Sequence, residues 1–400
     1  MRLGTFEWMK SVNRSIIINK IRINAPISRA QIAKETKITP PTVSSNVKEL
    51  IALGIVEETD FGTSSGGRKP KMLMLTNNKY FVVGVDAGSQ NIQASLSNLN
   101  GEILYRSHYS LEGVNTNELF IEALTTSIDT ISSFLKPNQD ILGIGIAMHG
   151  VVNPIEGEAI FAPNLGLTNI SIKERLSEHF QVPIHVENDA RAMAMGEVWF
   201  DKTNAPQSLV TLNIGRGVGA GIIVDGKLFY GKDYLAGEIG HMTIDMNGDI
   251  CDCGNRGCLQ TLTSGKTIVS KAKARIPSIH FERFNDQITG DTVFQLACSG
   301  NEEAIKIFHE IGHAIGIGLI NLIHLFNPER IVLGGRVMDA SQYLLPIVKQ
   351  IIQEKGLTGK AKNSHVEISR WGHDATLKGA IAIVLSHVFN DVAEDELTYE

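Results

Sequence analysis

The sequence predicts an α/β protein in which a small helical head with a β wing precedes two lobes of mixed sheet and helix. Three observations predict it. A short run of helical spacings and turn residues ends near residue 75, and from Tyr80 the pattern changes to buried strands. A strand order of three strands on tight turns, then helix and strand, opens at Phe81, and a comparable set opens at Leu209. Three of the four cysteines fall within eight residues, between Cys251 and Cys258.

Composition bounds the reading. At 400 residues and 43% hydrophobic, the chain can build two or three domains with substantial cores. No run of about 18 apolar residues occurs, so no membrane span is expected. The stretch Met1–Trp8 lacks the apolar core of a secretory signal. Sparing cysteine use suits a reducing cytoplasm, the expected location. The net charge is −6, but residues 1–75 carry twelve basic and six acidic side chains, so a basic head sits on an acidic body. Only the head is then expected to meet a polyanion.

In the head, Ile16, Ile17, Ile18, Ile21 and Ile23 mark a first helix that ends at Asn24-Ala25-Pro26. Ser28 caps a second helix, Arg29 to Thr36, with Gln31 as its capping-box partner. A turn through Lys37-Ile38-Thr39 leads to a third helix, Pro40 to Leu53, where Thr39 is the cap and the prolines fit the first turn. Val43, Val47, Leu50 and Ile51 face the core, and Thr42, Ser44, Ser45, Asn46 and Lys48 lie on or beside the exposed side. Small polar groups near the start of a helix, with a lysine behind them, are what base edges and phosphates require. Two strands, Ile55–Glu58 and Met72–Leu75, flank a basic loop and make a wing. The head therefore reads as a winged helix-turn-helix for double-stranded DNA. Its expected contacts are Pro41, Thr42, Ser44, Ser45 and Lys48 on the helix and Ser65, Gly66, Gly67, Arg68 and Lys69 in the wing.

The first lobe has strands at Phe81–Asp86, Ile92–Ser97 and Glu102–Tyr105, a helix near 116–135, and a buried strand at Ile141–Ala147. That order is the one found in actin-like, ribonuclease-H-like ATPase lobes. The second lobe has strands at Leu209–Ile214, Gly219–Val224 and Lys227–Tyr230, then a long helix, Glu302 to Phe326. On that helix Ile305, Phe308, Ile311, Ile315 and Leu319 form one stripe, and Gly312 and Gly316 permit close approach of a neighbour. A strand and glycine turn follow at Arg330–Gly335, and a last helix, near 374–389, is expected to pack back on the first lobe. The expected divisions are 1–75, 76–190, 191–370 and 371–400, with a ligand cleft between the lobes.

Three thiolates and one imidazole are the ligand set of a closed tetrahedral zinc site, and Cys251, Cys253 and Cys258 with His241 supply it. A disulfide between Cys251 and Cys253 is disfavoured, because one intervening residue rarely allows the required geometry. Zinc is expected to be structural.

Glu238-x-x-His241, followed by Cys251-x-Cys253-Gly254-x-x-Gly257-Cys258, resembles the signature of the ROK family of sugar kinases and sugar-responsive repressors. Val186-Glu187-Asn188-Asp189-Ala190 resembles that family's sugar segment, in which the Asn binds hydroxyls and the Asp is the kinases' general base. The resemblance implies sugar contacts at Asn164, Asn188, Asp189, Glu238, His241 and Gln260, although Gln260 stands where the family commonly has a glutamate. It also implies a head of the repressor type, since Ser64-Ser65-Gly66-Gly67-Arg68-Lys69-Pro70 resembles the repressor wing and the kinases lack such a domain. The phosphate-holding loops depart from the kinases. After Asp86-Ala87-Gly88 come Ser89 and Gln90 instead of a second glycine and a threonine, and Arg216 interrupts Gly215 and Gly217. A Cβ obstructs close backbone approach to a phosphate. The expectation is a non-enzymatic homodimeric repressor released from operator DNA by a sugar, with xylose expected. The alternatives are a kinase with an added head, a repressor responding to glucose or N-acetylglucosamine, and a sensor whose ligand strengthens DNA binding.

Overall fold

The structure, a computed structural model, describes residues 6–61, 70–202 and 205–390. The first helix, α1 (Phe6–Asn24), starts ten residues before the apolar run. Sequence periodicity sees only core-facing positions, whereas the polar residues of this helix are held by partners. Arg14 pairs with Glu49 at 2.8 Å, and the Ser15 hydroxyl donates to the Phe389 carbonyl at 2.7 Å. A two-residue strand, β1 (Ile27–Ser28), leads into α2 (Arg29–Thr36). The Ser28 hydroxyl accepts from the Gln31 backbone N–H, but the reciprocal half of the capping box is not made: the Gln31 side chain donates to Glu35 at 2.9 Å, one turn on.

Helix α3 (Pro40–Leu53) opens with its two prolines, where a missing N–H costs nothing. Thr39 occupies the cap with extended backbone, yet its hydroxyl meets that of Thr42 at 2.9 Å instead of a backbone N–H. Asn46 corrects the expectation of exposure. It lies three residues after Val43 and four before Leu50, hence on the core stripe, and is buried with its Nδ2 donating to the Thr42 carbonyl at 2.9 Å. Ile51 is only half-buried, at the edge of that core. Strands β2 (Val56–Phe61) and β3 (Lys71–Leu75) pair antiparallel, and β1 joins β3 on its other side.

The head does not end at its wing. The Leu53 carbonyl at the end of α3 accepts from Lys79 Nζ at 2.8 Å and Tyr80 Oη at 2.9 Å, and Gly54 accepts from the Thr76 hydroxyl at 2.7 Å. A cation there also complements the helix dipole.

From Tyr80 follow β4 (Tyr80–Ala87), β5 (Asn91–Asn98), β6 (Ile103–Ser110), α4 (Asn117–Ser132) and β7 (Asp140–Met148). A small antiparallel sheet of β8 (Val151–Asn153), β9 (Glu158–Ala162) and β10 (Leu167–Ile170) comes next, then α5 (Ile172–Ser177) and β11 (Ile184–Asn188). Then come α6 (Asp189–Trp199), β12 (Leu209–Ile214), β13 (Val218–Val224) and β14 (Lys227–Leu228). Helices α7 (Leu259–Thr263), α8 (Gly265–Arg275), α9 (Gly290–Cys298) and α10 (Glu302–Phe326) precede β15 (Arg330–Gly334). The chain closes with α11 (Ser341–Lys355), α12 (Gly359–Lys362), β16 (Val366–Ile368) and α13 (Ala375–Asn390).

The two large sheets share one plan. Their orders are β11-β7-β4-β5-β6 and β14-β13-β12-β15-β16, so in each the first strand sits in the middle with its antiparallel hairpin on one side. A parallel neighbour lies on its other side, at β4–β7 and β12–β15. This is the actin-like plan, built twice.

Two compact units result. One comprises residues 1–187, 199–204 and 380–400, and the other comprises 188–198 and 205–379. In the first, Ile17, Ile21, Val47 and Leu50 of the head share a buried core with Val82, Leu99, Trp199, Ile381, Leu385 and Phe389. In the second, α10 buries Phe308, Ile311, Ile315 and Leu319 in the main core, with Ile305 packed at its edge. A Cβ at Gly316 would stand 2.7 Å from Ile351 Cβ of α11, so only glycine allows this approach. Among the described residues, no helix is long and apolar enough to cross a membrane.

Candidate functional site

The cysteine–histidine cluster is built by a loop that only glycine permits. Gly257 has φ +66°, and a Cβ there would collide with the Asp245 carbonyl. The turn is pinned by Cys251 N–H donating to Asn255 O at 2.7 Å and by Gly257 N–H donating to Asp249 O at 2.8 Å. Cys258 then caps α7, and His241 ends a short 3₁₀ turn, Ile239–His241.

The one ligand atom offered by each of His241, Cys251, Cys253 and Cys258 lies within 4.8 Å of all the others. Cys253 and Cys258 sulfurs are 3.7 Å apart, as are Cys251 Sγ and His241 Nδ1. A tetrahedral ion about 2.3 Å from each sulfur sets them about 3.8 Å apart, so this donor set fits zinc. The chemistry agrees. Burial and then the two neighbouring thiols push Cys258 up to about 12, a cost that a bound cation would offset by favouring the thiolate.

The histidine ring joins the cysteine cluster to a polar group. Its Nδ1 faces Cys251, while Nε2 lies 4.0 Å from the Glu238 carboxylate. Burial raises Glu238 above its usual carboxylate range, against the opposing pull of His241 and Arg191. Asp189 follows at the start of α6. Its Oδ1 accepts from the Ala190 N–H at 2.8 Å and its Oδ2 from Asn213 Nδ2 at 3.1 Å. Burial nevertheless lifts Asp189 to about 6; Glu238 adds to the rise, and these two hydrogen bonds and Arg191 oppose it.

The expected sugar residues do not all behave alike. Asn188 uses its Oδ1 to cap α6, accepting from Ala190 N–H at 3.0 Å and Arg191 N–H at 3.1 Å. Gln260 donates its Nε2 to Cys251 Sγ at 3.1 Å. Asn164 lies half-buried in the β9–β10 turn of the first unit, while the other five belong to the second unit.

Two contributors were missed in the sequence. Asn213 is the one polar side chain besides Thr211 in a strand of apolar residues, which is the signal that marks it. Arg191 is buried, donates Nη1 to the Tyr234 carbonyl at 3.0 Å, and lies 5.2 Å from the Tyr230 ring centroid. Tyr230 itself lies beyond β14, which stops at Leu228 instead of continuing to the expected Tyr230.

The altered phosphate loops have distinct settings. Ala87 puts its methyl into the core of the first unit, and Ser89 and Gln90 form the turn before β5. Arg216 is exposed at the tip of the β12–β13 hairpin, whose Gly215 carbonyl accepts from the Gly265 N–H at 2.8 Å.

On the head, Pro41, Ser44, Ser45 and Lys48 are exposed along one side of α3, and Thr42 is half-buried. Ser65, Gly66, Gly67, Arg68 and Lys69 lie outside the described residues.

Comparison with known proteins agrees with both halves of this description. A winged helix-turn-helix DNA-binding family matches residues 17–57, and the ROK family matches residues 82–387. The chain is 31% identical to a xylose repressor from Caldicellulosiruptor bescii over 97% of this chain and 99% of that protein. Among solved structures it is similar to a ROK family transcriptional regulator, a homologue of the E. coli MLC protein. The TM-score is 0.81 at 27% identity, over 96% of this chain and 98% of that one. A ROK family glucokinase from Streptomyces griseus, in complex with glucose and AMPPNP, matches at TM-score 0.69 and 27% identity, over 76% of this chain and 98% of that one. The kinase match thus spans less of the chain, while the regulator and repressor matches run nearly end to end. With a family match over more than three quarters of its length, the chain belongs to the ROK family.

Proposed function

We propose that this protein is a sugar-responsive transcriptional repressor that holds operator DNA through its winged helix and releases it when a sugar binds. The observation that carries the reading is the pairing of a DNA-binding head with a ROK body whose phosphate loops are altered. The DNA contacts are Pro41, Thr42, Ser44, Ser45 and Lys48 together with Ser65, Gly66, Gly67, Arg68 and Lys69 of the wing. Small hydroxyls at the start of α3 suit base edges and phosphates, and lysine and arginine suit the backbone. A homodimer would place two heads on a palindromic site with half-sites whole helical turns apart.

Asp189, Glu238 and His241 form the polar centre of the sugar site. A carboxylate accepts from two adjacent hydroxyls, and the imidazole, fixed through Nδ1, turns Nε2 toward the same region. Zinc, held by His241, Cys251, Cys253 and Cys258, would fix the loop that carries this histidine. Xylose is the proposed effector, from the repressor named above.

A kinase reading rests on one observation. Asp189 at about 6 is a competent general base. Phosphoryl transfer depends mainly on positioning the donor, however, and Ser89, Gln90 and Arg216 replace what would cradle it. Operator titration against xylose, glucose and N-acetylglucosamine, each with and without ATP, tests the function. Sugar-driven release without ATP consumption supports the repressor. Steady sugar-dependent ATP turnover abolished by Asp189→Asn would make the protein a kinase.

A further inference from the structure

We infer that Arg191 locks the loop 230–238 and is, through that loop, a positioning residue of the proposed sugar site. Its backbone is fixed first. The Arg191 N–H donates to the Asn188 side chain at 3.1 Å, and the Ala190 carbonyl before it accepts from the Thr211 hydroxyl at 3.2 Å. The residue is only 2% exposed. Burying a guanidinium is costly unless it finds partners, and the partners here belong to one loop. Nη1 donates to the Tyr234 carbonyl at 3.0 Å, and the guanidinium carbon lies 5.2 Å from the Tyr230 ring centroid, within cation–π range.

The loop needs such a hold. Tyr234 has φ +60°, a left-handed conformation that a bulky side chain adopts only at a cost. Strain of this kind persists where the surroundings over-determine it. The Arg191 bond to the Tyr234 carbonyl does so, together with the edge-on contact of the Tyr230 and Tyr234 rings, 6.3 Å apart. The loop ends on Glu238. Just before it, the Gly237 carbonyl accepts from the Ala220 N–H of β13 at 2.8 Å. Glu238 is thus held by a strand on one side and by the locked loop on the other. The same guanidinium opposes the rise that burial imposes on both Glu238 and Asp189. A cation that helps two buried carboxyls stay ionised keeps both as acceptors for sugar hydroxyls.

This inference rests on the sugar reading of the site, and the experiment separates the two. Full-length protein and the Arg191→Lys and Arg191→Ala variants are compared by amide hydrogen exchange and by operator binding without sugar. Calorimetry with xylose, glucose and N-acetylglucosamine completes the set. Lysine keeps the charge but cannot reproduce the planar fork. In both variants the loop amides should exchange about tenfold to hundredfold faster, the factor for losing a hydrogen bond from a charged donor. Strands β12 and β13 should stay as protected as in the parent. Affinity for the sugar that the parent binds should fall by a similar factor, because only the closed fraction of the loop is competent. Operator binding should be unchanged. Sub-denaturing guanidinium chloride, against equal sodium chloride, should restore part of both losses in Arg191→Ala, a rescue that a general packing defect would not show. An unchanged loop, an unchanged sugar affinity, or loss of protection in β12 and β13 along with the loop in both variants would each overturn the inference. A parent that binds none of the three sugars would sink the sugar reading, and the loop exchange would still decide whether Arg191 is its lock.

Discussion

At the scale of single residues, Asp189 carries the sharpest expectation. Its carboxyl is lifted to about 6, so it is half ionised within the range in which proteins are handled. The native state therefore holds this proton more tightly than the unfolded chain, and the group's contribution to stability falls as pH rises from about 4 through about 6. Sugar binding should run the other way. An ionised carboxylate accepts from two hydroxyls, whereas a protonated one loses part of that capacity. Affinity for sugar is expected to drop as pH falls below about 6, and Asp189→Asn should flatten that limb while weakening binding throughout. Calorimetry from pH 5 to 8 on both proteins checks this, and a limb that persists in Asp189→Asn would move the titration to another group. The cysteine–histidine cluster gives a second expectation at this scale. Purified protein should carry one zinc per chain, and Cys253→Ser, at the exposed corner of the cluster, should lower that stoichiometry in elemental analysis.

Elements were legible in proportion to how much of their pattern faces a core. Helices α2, α3 and α10 have the bounds the sequence implies, because a cap and an apolar stripe mark each. The strands β1, β8 and β10, two to four residues long, offer too few alternations to register. The cysteine–histidine cluster was equally plain, because three of its four members fall within eight residues. The Asn213–Asp189 bond, the Arg191 contacts and the Gln260–Cys251 bond join residues from 9 to 43 positions apart, and no spacing rule links them. Another contact of this kind binds the head to its unit. Arg22 of α1 donates Nη1 to the Trp199 carbonyl at 2.8 Å and lies 3.8 Å from the centre of its ring, and Trp199 stacks on Phe389. Burial lowers Arg22 only to about 10, so it stays charged at neutral pH. Arg22→Ala should cost about 2–3 kcal/mol, the sum of a cation–π contact and a hydrogen bond from a charged donor. Urea unfolding of the full chain measures it, and a change under about 0.5 kcal/mol would show the contact to be incidental.

For the whole molecule, the decisive quantity is the coupling between its two ligands. Operator binding draws on phosphates, so its affinity falls with salt in proportion to the number of phosphates neutralised. Lys48, exposed on α3, should contribute to that count. Lys48→Ala is expected to weaken binding across sequences and to reduce the slope of log K against log salt by about 1, whereas Ser44→Ala should change sequence preference. Neither change touches the residues proposed for the sugar, so both variants should still release DNA on adding sugar. Asp189→Asn should do the opposite, keeping operator affinity and losing the response, because a ligand shifts an equilibrium only through its differential affinity for the two states. Thermodynamic linkage then makes a stricter demand. If sugar weakens operator binding by some factor, saturating operator must weaken sugar binding by the same factor, typically about 5–150-fold. Calorimetric titration of sugar into free protein and into the operator complex measures one side, and operator titration at zero and saturating sugar measures the other. Equal factors would establish the repressor cycle with the sugar as inducer. A factor of opposite sign would make the sugar a corepressor. A factor of one on both sides would leave the sugar site without any hold on the DNA.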